Sequence, residues 1–143
     1  MRKLKEQEIN DIVKKANWAT ICTASKDGKP YAIEATYFII DDTEIGFMIN
    51  PRGQTMKNIA VNPQLLLKVT FASKDLSYWV GVTLFGTGQK VTDPAQIEQG
   101  WHLLGKIMKS DYSQALEKFK NAGENSPFLR CRITERTGRG SGT

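Results

Sequence analysis

The stretch from Asn50 to Pro63, NPRGQTMKNIAVNP, gathers the residues best equipped for binding chemistry. Arg52, Gln54, Thr55, Lys57 and Asn58 crowd the start of a short helix-like run, Thr55–Val61, with Met56, Ile59 and Ala60 as its apolar side. Pro51 and Gly53 break the backbone ahead of it. Asn62-Pro63 stops it, because proline cannot continue a ladder and disfavours helix in the residue before it. The first turn of a helix has N–H groups without intrahelical partners and carries the positive end of the dipole, so with cations beside it the turn suits an anion. A phosphate wants several N–H donors and one or two positive charges. Lys57 and Arg52 can supply charge, Thr55 a hydroxyl, and the backbone around Gly53–Thr55 amides. The same residues also read as an ordinary strand-to-helix connection with solvated Lys and Arg. The stretch is not a P-loop, since GxxxxGK[ST] is absent.

A second set lies on one strand. Glu34 is a charge in an otherwise apolar run, either a solvent-facing position in the alternation or part of a ligand slot. In the slot reading, Glu34, Ala35 and Thr36 present backbone groups to a flat ligand, and their small neighbours let it lie close. Tyr37, Trp79 and Trp101 could stack on an aromatic cofactor or simply fill the interior. His102 is the only histidine, which excludes a site built on several His ligands. No GxSxG elbow is present to hold a nucleophilic serine. Cys22 and Cys131 are far apart in apolar strand contexts and read as buried thiols rather than metal ligands. No metal site is expected, and no side chain declares itself as a general acid or base.

The elements that position these residues follow from periodicity and turn chemistry. Glu6–Ala16 is a helix with Ile9, Ile12, Val13 and Ala16 on one face. Trp18–Ser25 and Pro30–Ile40 are strands joined by Lys26-Asp27-Gly28-Lys29, with Asp-Gly supplying the positive φ of a tight hairpin. Asp41-Asp42-Thr43 turns the chain into a third strand, Glu44–Ile49. Gln64–Ala72 is the fourth strand. Tyr78–Val91 is the fifth, and its glycines 81, 86 and 88 signal a bulge, a barrel corner or a close approach. Asp93 caps a helix with Pro94 at its first position and Ile97, Trp101, Leu104 and Met108 as its stripe. A further helix runs from about Ser110 to Asn121. Phe128–Thr134 is the sixth strand. Residues 1–134 form a single domain, and the polar, Gly-rich stretch 135–143 is expected to be a flexible tail.

At 143 residues, 40% hydrophobic and 24% charged, the chain has the composition of a soluble globular domain. No apolar run approaches the roughly 18 residues that span a bilayer. The N-terminus lacks the apolar core of a signal peptide, so a cytoplasmic location is expected. The net charge of +5 raises nucleic acid as a partner. No helix-turn-helix, zinc or RNP pattern supports it, and none is expected.

Six antiparallel strands and about four short helices predict a mainly β fold with α, a closed or nearly closed small barrel. Tyr37-Phe38-Ile39-Ile40 and Leu65-Leu66-Leu67 are apolar on both faces, because neighbours in a strand point to opposite sides. A lone barrel buries only its inside. The outside is therefore covered by the chain's own helices or by a second copy, and a symmetric homodimer is the expectation.

The order of helix, DGKP hairpin, paired strands, the turn with Lys57-Asn58-Ile59 and Asn62-Pro63, then WVGVTLFGTGQKV, resembles the pyridoxamine 5′-phosphate oxidase-like, FMN-binding split-barrel superfamily over about residues 6–134. The resemblance implies a six-stranded antiparallel split β-barrel with flanking short helices, dimeric, with two FMN sites at the subunit interface. It implies that Asn50, Arg52, Thr55 and Lys57 hold the phosphate and that Glu34, Ala35, Thr36 and Tyr37 border the isoalloxazine. It also makes Trp101 a candidate for closing the site. Many members carry a lysine where this chain has Thr55, and Arg136-Thr137-Gly138-Arg139 does not match the substrate motif of true pyridoxamine phosphate oxidases. The implied function is an FMN-dependent oxidoreductase acting on a small molecule. A non-catalytic flavin carrier or a deazaflavin-dependent reductase is the alternative, and a barrel serving only as an interaction domain is a third.

Overall fold

The structure, a computed structural model, describes residues 1–142. Its elements in chain order are β1 (Arg2–Lys3), α1 (Glu6–Ala16), β2 (Trp18–Ala24), β3 (Pro30–Asp41), β4 (Glu44–Met48), α2 (Gln54–Val61), β5 (Gln64–Ala72), β6 (Trp79–Lys90), α3 (Pro94–Met108), α4 (Ser113–Phe119) and β7 (Phe128–Gly140). The strands lie in the order β1-β7-β4-β3-β2-β5-β6, and β6 pairs back onto β7. Six strands thus close an antiparallel barrel, with β1 added outside along β7.

Local chemistry explains the joints. Glu8 accepts from the Lys5 amide (3.1 Å) and pairs with Arg2 (2.9 Å), which ties the chain start to the first turn of α1. Asn17 ends α1 in the left-handed region (φ 52°), and its side-chain amide donates to the Tyr37 carbonyl (3.2 Å). Asp93 accepts from the Gln96 amide and Pro94 opens α3, as the cap pattern predicts. Gly86 sits at the register shift between β6 and β7, where a Cβ would lie 2.1 Å from the Arg132 carbonyl oxygen. That close approach is why this corner needs glycine.

The core has two parts. The barrel interior, built from inward positions such as Ile21, Phe47, Leu67, Val82 and Leu129, is closed by Ile9 and Val13 of α1 and by Met56 and Ile59 of α2. A second cluster lies outside the barrel, where Phe38 and Phe128 meet Ile97, Trp101 and Leu104 of α3. The outer side of the end of β3 is therefore covered by the chain's own helices. The outer side of β2, β5 and β6 is open: Trp18 is 57% exposed and Phe85 38%. Cross-strand register places Ala32, Cys22, Leu66 and Phe85 in one row there, next to the row Glu34, Thr20, Lys68 and Thr83.

Several boundaries differ from expectation. The strand expected to end at Thr134 continues to Gly140, so residues 135–140 are sheet and not a free tail. They pair with β6 from Phe85 to Val80 and receive β1 on their other edge. Their polar composition reflects outward positions, while Gly138 and Gly140 let Leu4 pack close. α4 is shorter than the stretch 110–121; just ahead of it the Asp111 carboxylate accepts from the Ser113 amide (2.9 Å) in a local turn. Met108, expected on the α3 stripe, is 46% exposed.

Candidate functional site

The connection from β4 to α2 forms the anion-ready turn. The Asn50 side chain accepts from the Arg52 amide (3.0 Å), and the Gly53 amide donates to the Asn50 carbonyl (3.1 Å). Gly53 is the N-cap and has no side chain to cap with. The first helical bond runs from the Lys57 amide to the Gly53 carbonyl (3.2 Å). The amides of Gln54, Thr55 and Met56 precede it and have no partner among the described residues. No acidic side chain occupies the first turn to offset the dipole. Arg52 and Lys57 are exposed and form no ion pair among the described residues. Thr55 is 2% exposed, and its hydroxyl has no hydrogen-bond partner. A buried unpaired hydroxyl is costly.

Behind this turn lies a polar chain that sequence reasoning did not assemble. Gln54 Nε2 donates to Asn58 Oδ1 (2.8 Å), and Asn58 Nδ2 donates to Thr23 Oγ1 of β2 (3.0 Å). The only signal for Thr23 is its polar type at an inward position of an otherwise apolar alternation.

On β3 the residues divide by face. Glu34 and Thr36 point outward, opposite Thr20 and Trp18. Ala35 packs against the barrel core. Tyr37 is fully buried: its hydroxyl donates to the Val13 carbonyl (2.5 Å) and its ring meets Phe47 edge-on. Burial pushes its pKa up to about 12. Its side chain is committed to the α1 contact, so only its backbone could border a ligand. Trp101 lies in the second core, tilted on Tyr112 and stacked on Phe119 at 6.3 Å, with its indole N–H unpartnered. The structure therefore groups Asn50, Arg52, Thr55 and Lys57 on one turn and Glu34 and Thr36 on one sheet face. It sets the Tyr37 and Trp101 side chains apart from both.

The remaining candidates are peripheral. A groove of about 760 Å³ runs between α1, the β3–β4 hairpin and β7, and holds none of the expected site residues. Arg136 bridges it, donating to Asn10 Oδ1 (2.9 Å) and to the Asp42 carbonyl. Cys131 is buried, and burial raises its thiol pKa; Cys22 is half-buried on the outer sheet face and raised for the same reason. Among the described residues no three His, Cys, Asp or Glu side chains converge, and no helix is long and apolar enough to cross a membrane.

A closed six-stranded antiparallel barrel flanked by short helices defines a split-barrel fold. The sequence model of the pyridoxamine 5′-phosphate oxidase family matches residues 6–138, and the chain belongs to that family. No curated protein matches the sequence. Among solved structures, an FAD-binding protein from Mesorhizobium loti superposes with a TM-score of 0.73 at 19% identity, covering 99% of this chain and 97% of that one. The FAD-binding protein from Mycobacterium smegmatis gives 0.66 at 15%, covering 99% and 100%. A haem storage protein from Vibrio cholerae gives 0.67 at 15%, covering 92% of each. At these identities the likeness is one of fold.

Proposed function

We propose that this protein is a homodimeric, cytoplasmic flavoprotein that holds FMN and uses it in redox chemistry on a small molecule. The observation that carries the reading is the donor set at α2: three open amides and a buried, unpartnered Thr55 hydroxyl, with two unpaired cations at the rim. Such a set fits a phosphate, and the buried, unpartnered hydroxyl sets it apart from an ordinary helix start. Family membership and the flavin-binding character of two structural neighbours support it.

When bound, the flavin supplies the hydride or electron transfer. The chain's part is to bind and orient. The α2 amides and Thr55 would hold the phosphate, Arg52 and Lys57 would offset its charge, and Asn50 would shape the turn. Glu34 and Thr36, with the Ala35 and Tyr37 backbone, would border the ring. A second copy on the open face of β2, β5 and β6 would exclude water. Trp18, exposed opposite Thr36, is better placed than Trp101 to close over an aromatic ligand.

The test is the purified protein itself. Absorption near ~450 nm and release of FMN on heating are expected. A colourless protein that takes up no added flavin would sink the reading. Released FAD or a deazaflavin would replace the cofactor and keep the site. Reduction by reduced nicotinamide with repeated turnover separates an enzyme from a carrier.

A further inference from the structure

We propose that Asn58 is a positioning residue for the anion end of the site: the relay Gln54–Asn58–Thr23 sets the direction in which the first turn of α2 presents its donors. The proposal rests on the flavin reading above and deepens it.

Asn58 is 2% exposed in the middle of an eight-residue helix. Asparagine is a poor helix former, and burying its amide is costly unless both ends are bonded. Here both are, the oxygen to Gln54 at 2.8 Å and the nitrogen to Thr23 at 3.0 Å. Thr23 is itself 5% exposed, on a strand whose other inward residues are Ala19 and Ile21. A helix this short does not hold itself in place; tertiary contacts must do it. Met56 and Ile59 set its depth in the barrel end, but apolar contact is non-directional. A hydrogen bond is directional, so the Asn58–Thr23 bond fixes rotation of α2 about its axis. That rotation decides where the amides of Gln54, Thr55 and Met56 and the Thr55 hydroxyl aim. Gln54, at the first position of α2, gives one amide proton to Asn58. Asn58 lies behind the donors and acts on the ligand only through them.

A positioning role at the phosphate end separates from a general structural role by comparing FMN with riboflavin, which lacks only the phosphate. Affinities for both are measured by flavin fluorescence quenching on the full chain carrying Asn58→Leu, Thr23→Val or Thr23→Ser. In Asn58→Leu and Thr23→Val, FMN should bind about tenfold more weakly, with riboflavin changed less than about twofold. Thr23→Ser, which keeps the hydroxyl, should retain the wild-type ratio. Parallel loss for both flavins, or no loss for FMN, overturns the relay. Thr23→Val removes one hydroxyl at nearly constant volume, so it decides the matter if Asn58→Leu does not fold. Wild-type protein that binds both flavins equally tightly overturns the relay and the phosphate placement at α2, and leaves a flavin-binding protein. Wild-type protein that binds neither overturns the flavin reading and the relay together.

Discussion

At the scale of single residues, the proposed role of Thr55 sets stability and binding in opposite directions. Its buried hydroxyl has no partner, so the free protein carries the cost of an unmade bond. Thr55→Val should raise the stability of the flavin-free protein by about 1 kcal/mol, or about 3 °C in Tm, and weaken FMN binding at the same time. Calorimetry with and without flavin checks both signs; a variant that loses stability would count against an orphaned hydroxyl. Lys57→Ala should weaken FMN binding by about 1.5 kcal/mol through loss of one charge-assisted contact. Unchanged affinity would remove Lys57 from the site. Tyr37 gives a pH prediction. Its folded pKa, about 12, is above the ~10 of an unfolded tyrosine, so the native state favours the protonated phenol. That contribution is whole below about pH 10 and is lost as pH rises from there through about 12. Urea midpoints should fall over that window, and Tyr37→Phe should remove that part of the slope. The residue types around Asn50–Lys57 were legible in the sequence because a helix start advertises itself by its breakers. The directions of Tyr37 and Trp101 were not, since a ring in a strand or helix does not declare which side is core.

At the scale of elements, β7 decides most. It pairs with β4 over its first part and with β6 along nearly its whole length, so it staples the barrel shut. Truncation after Thr134 would remove the β6 partners of Val80 to Phe85 and the seat of Leu4. A free tail could be cut without effect; here the cut should lower Tm by more than about 10 °C or prevent folding. Thermal denaturation of the truncated chain checks it, and an unchanged Tm would contradict the pairing. Gly86→Ala should cost about 3 kcal/mol, because the added methyl meets the Arg132 carbonyl at a bulge where both neighbours are backbone. Urea unfolding reads that loss. The glycine signal in β6 was visible in the sequence, since glycine inside a strand has few other uses. The end of β7 was not, because Glu135–Arg139 alternate polar and small residues, which a tail and an outer-face strand share.

At the scale of the whole molecule, the open face formed by Trp18, Leu66 and Phe85 bears on assembly. We expect sedimentation at micromolar concentration to give a dimer, and Phe85→Asp to shift it toward monomer with a parallel loss of FMN affinity. A wild-type monomer would refute the expected interface. Of the two double-faced strands, only β5 offers its outer apolar side to a partner. The outer side of Phe38 is taken by α3, whereas Leu66 lies outside that cluster and is half-buried on the outer face of β5. The sequence by itself determined the antiparallel order, the caps, the hairpin and the anion-ready turn, because these depend on neighbours within a few residues. Only the tertiary structure decided which apolar face is covered, which aromatics are core, and that Asn58 reaches Thr23. Those depend on residues distant in the chain meeting through barrel closure, and local pattern carries no record of who the distant partner is.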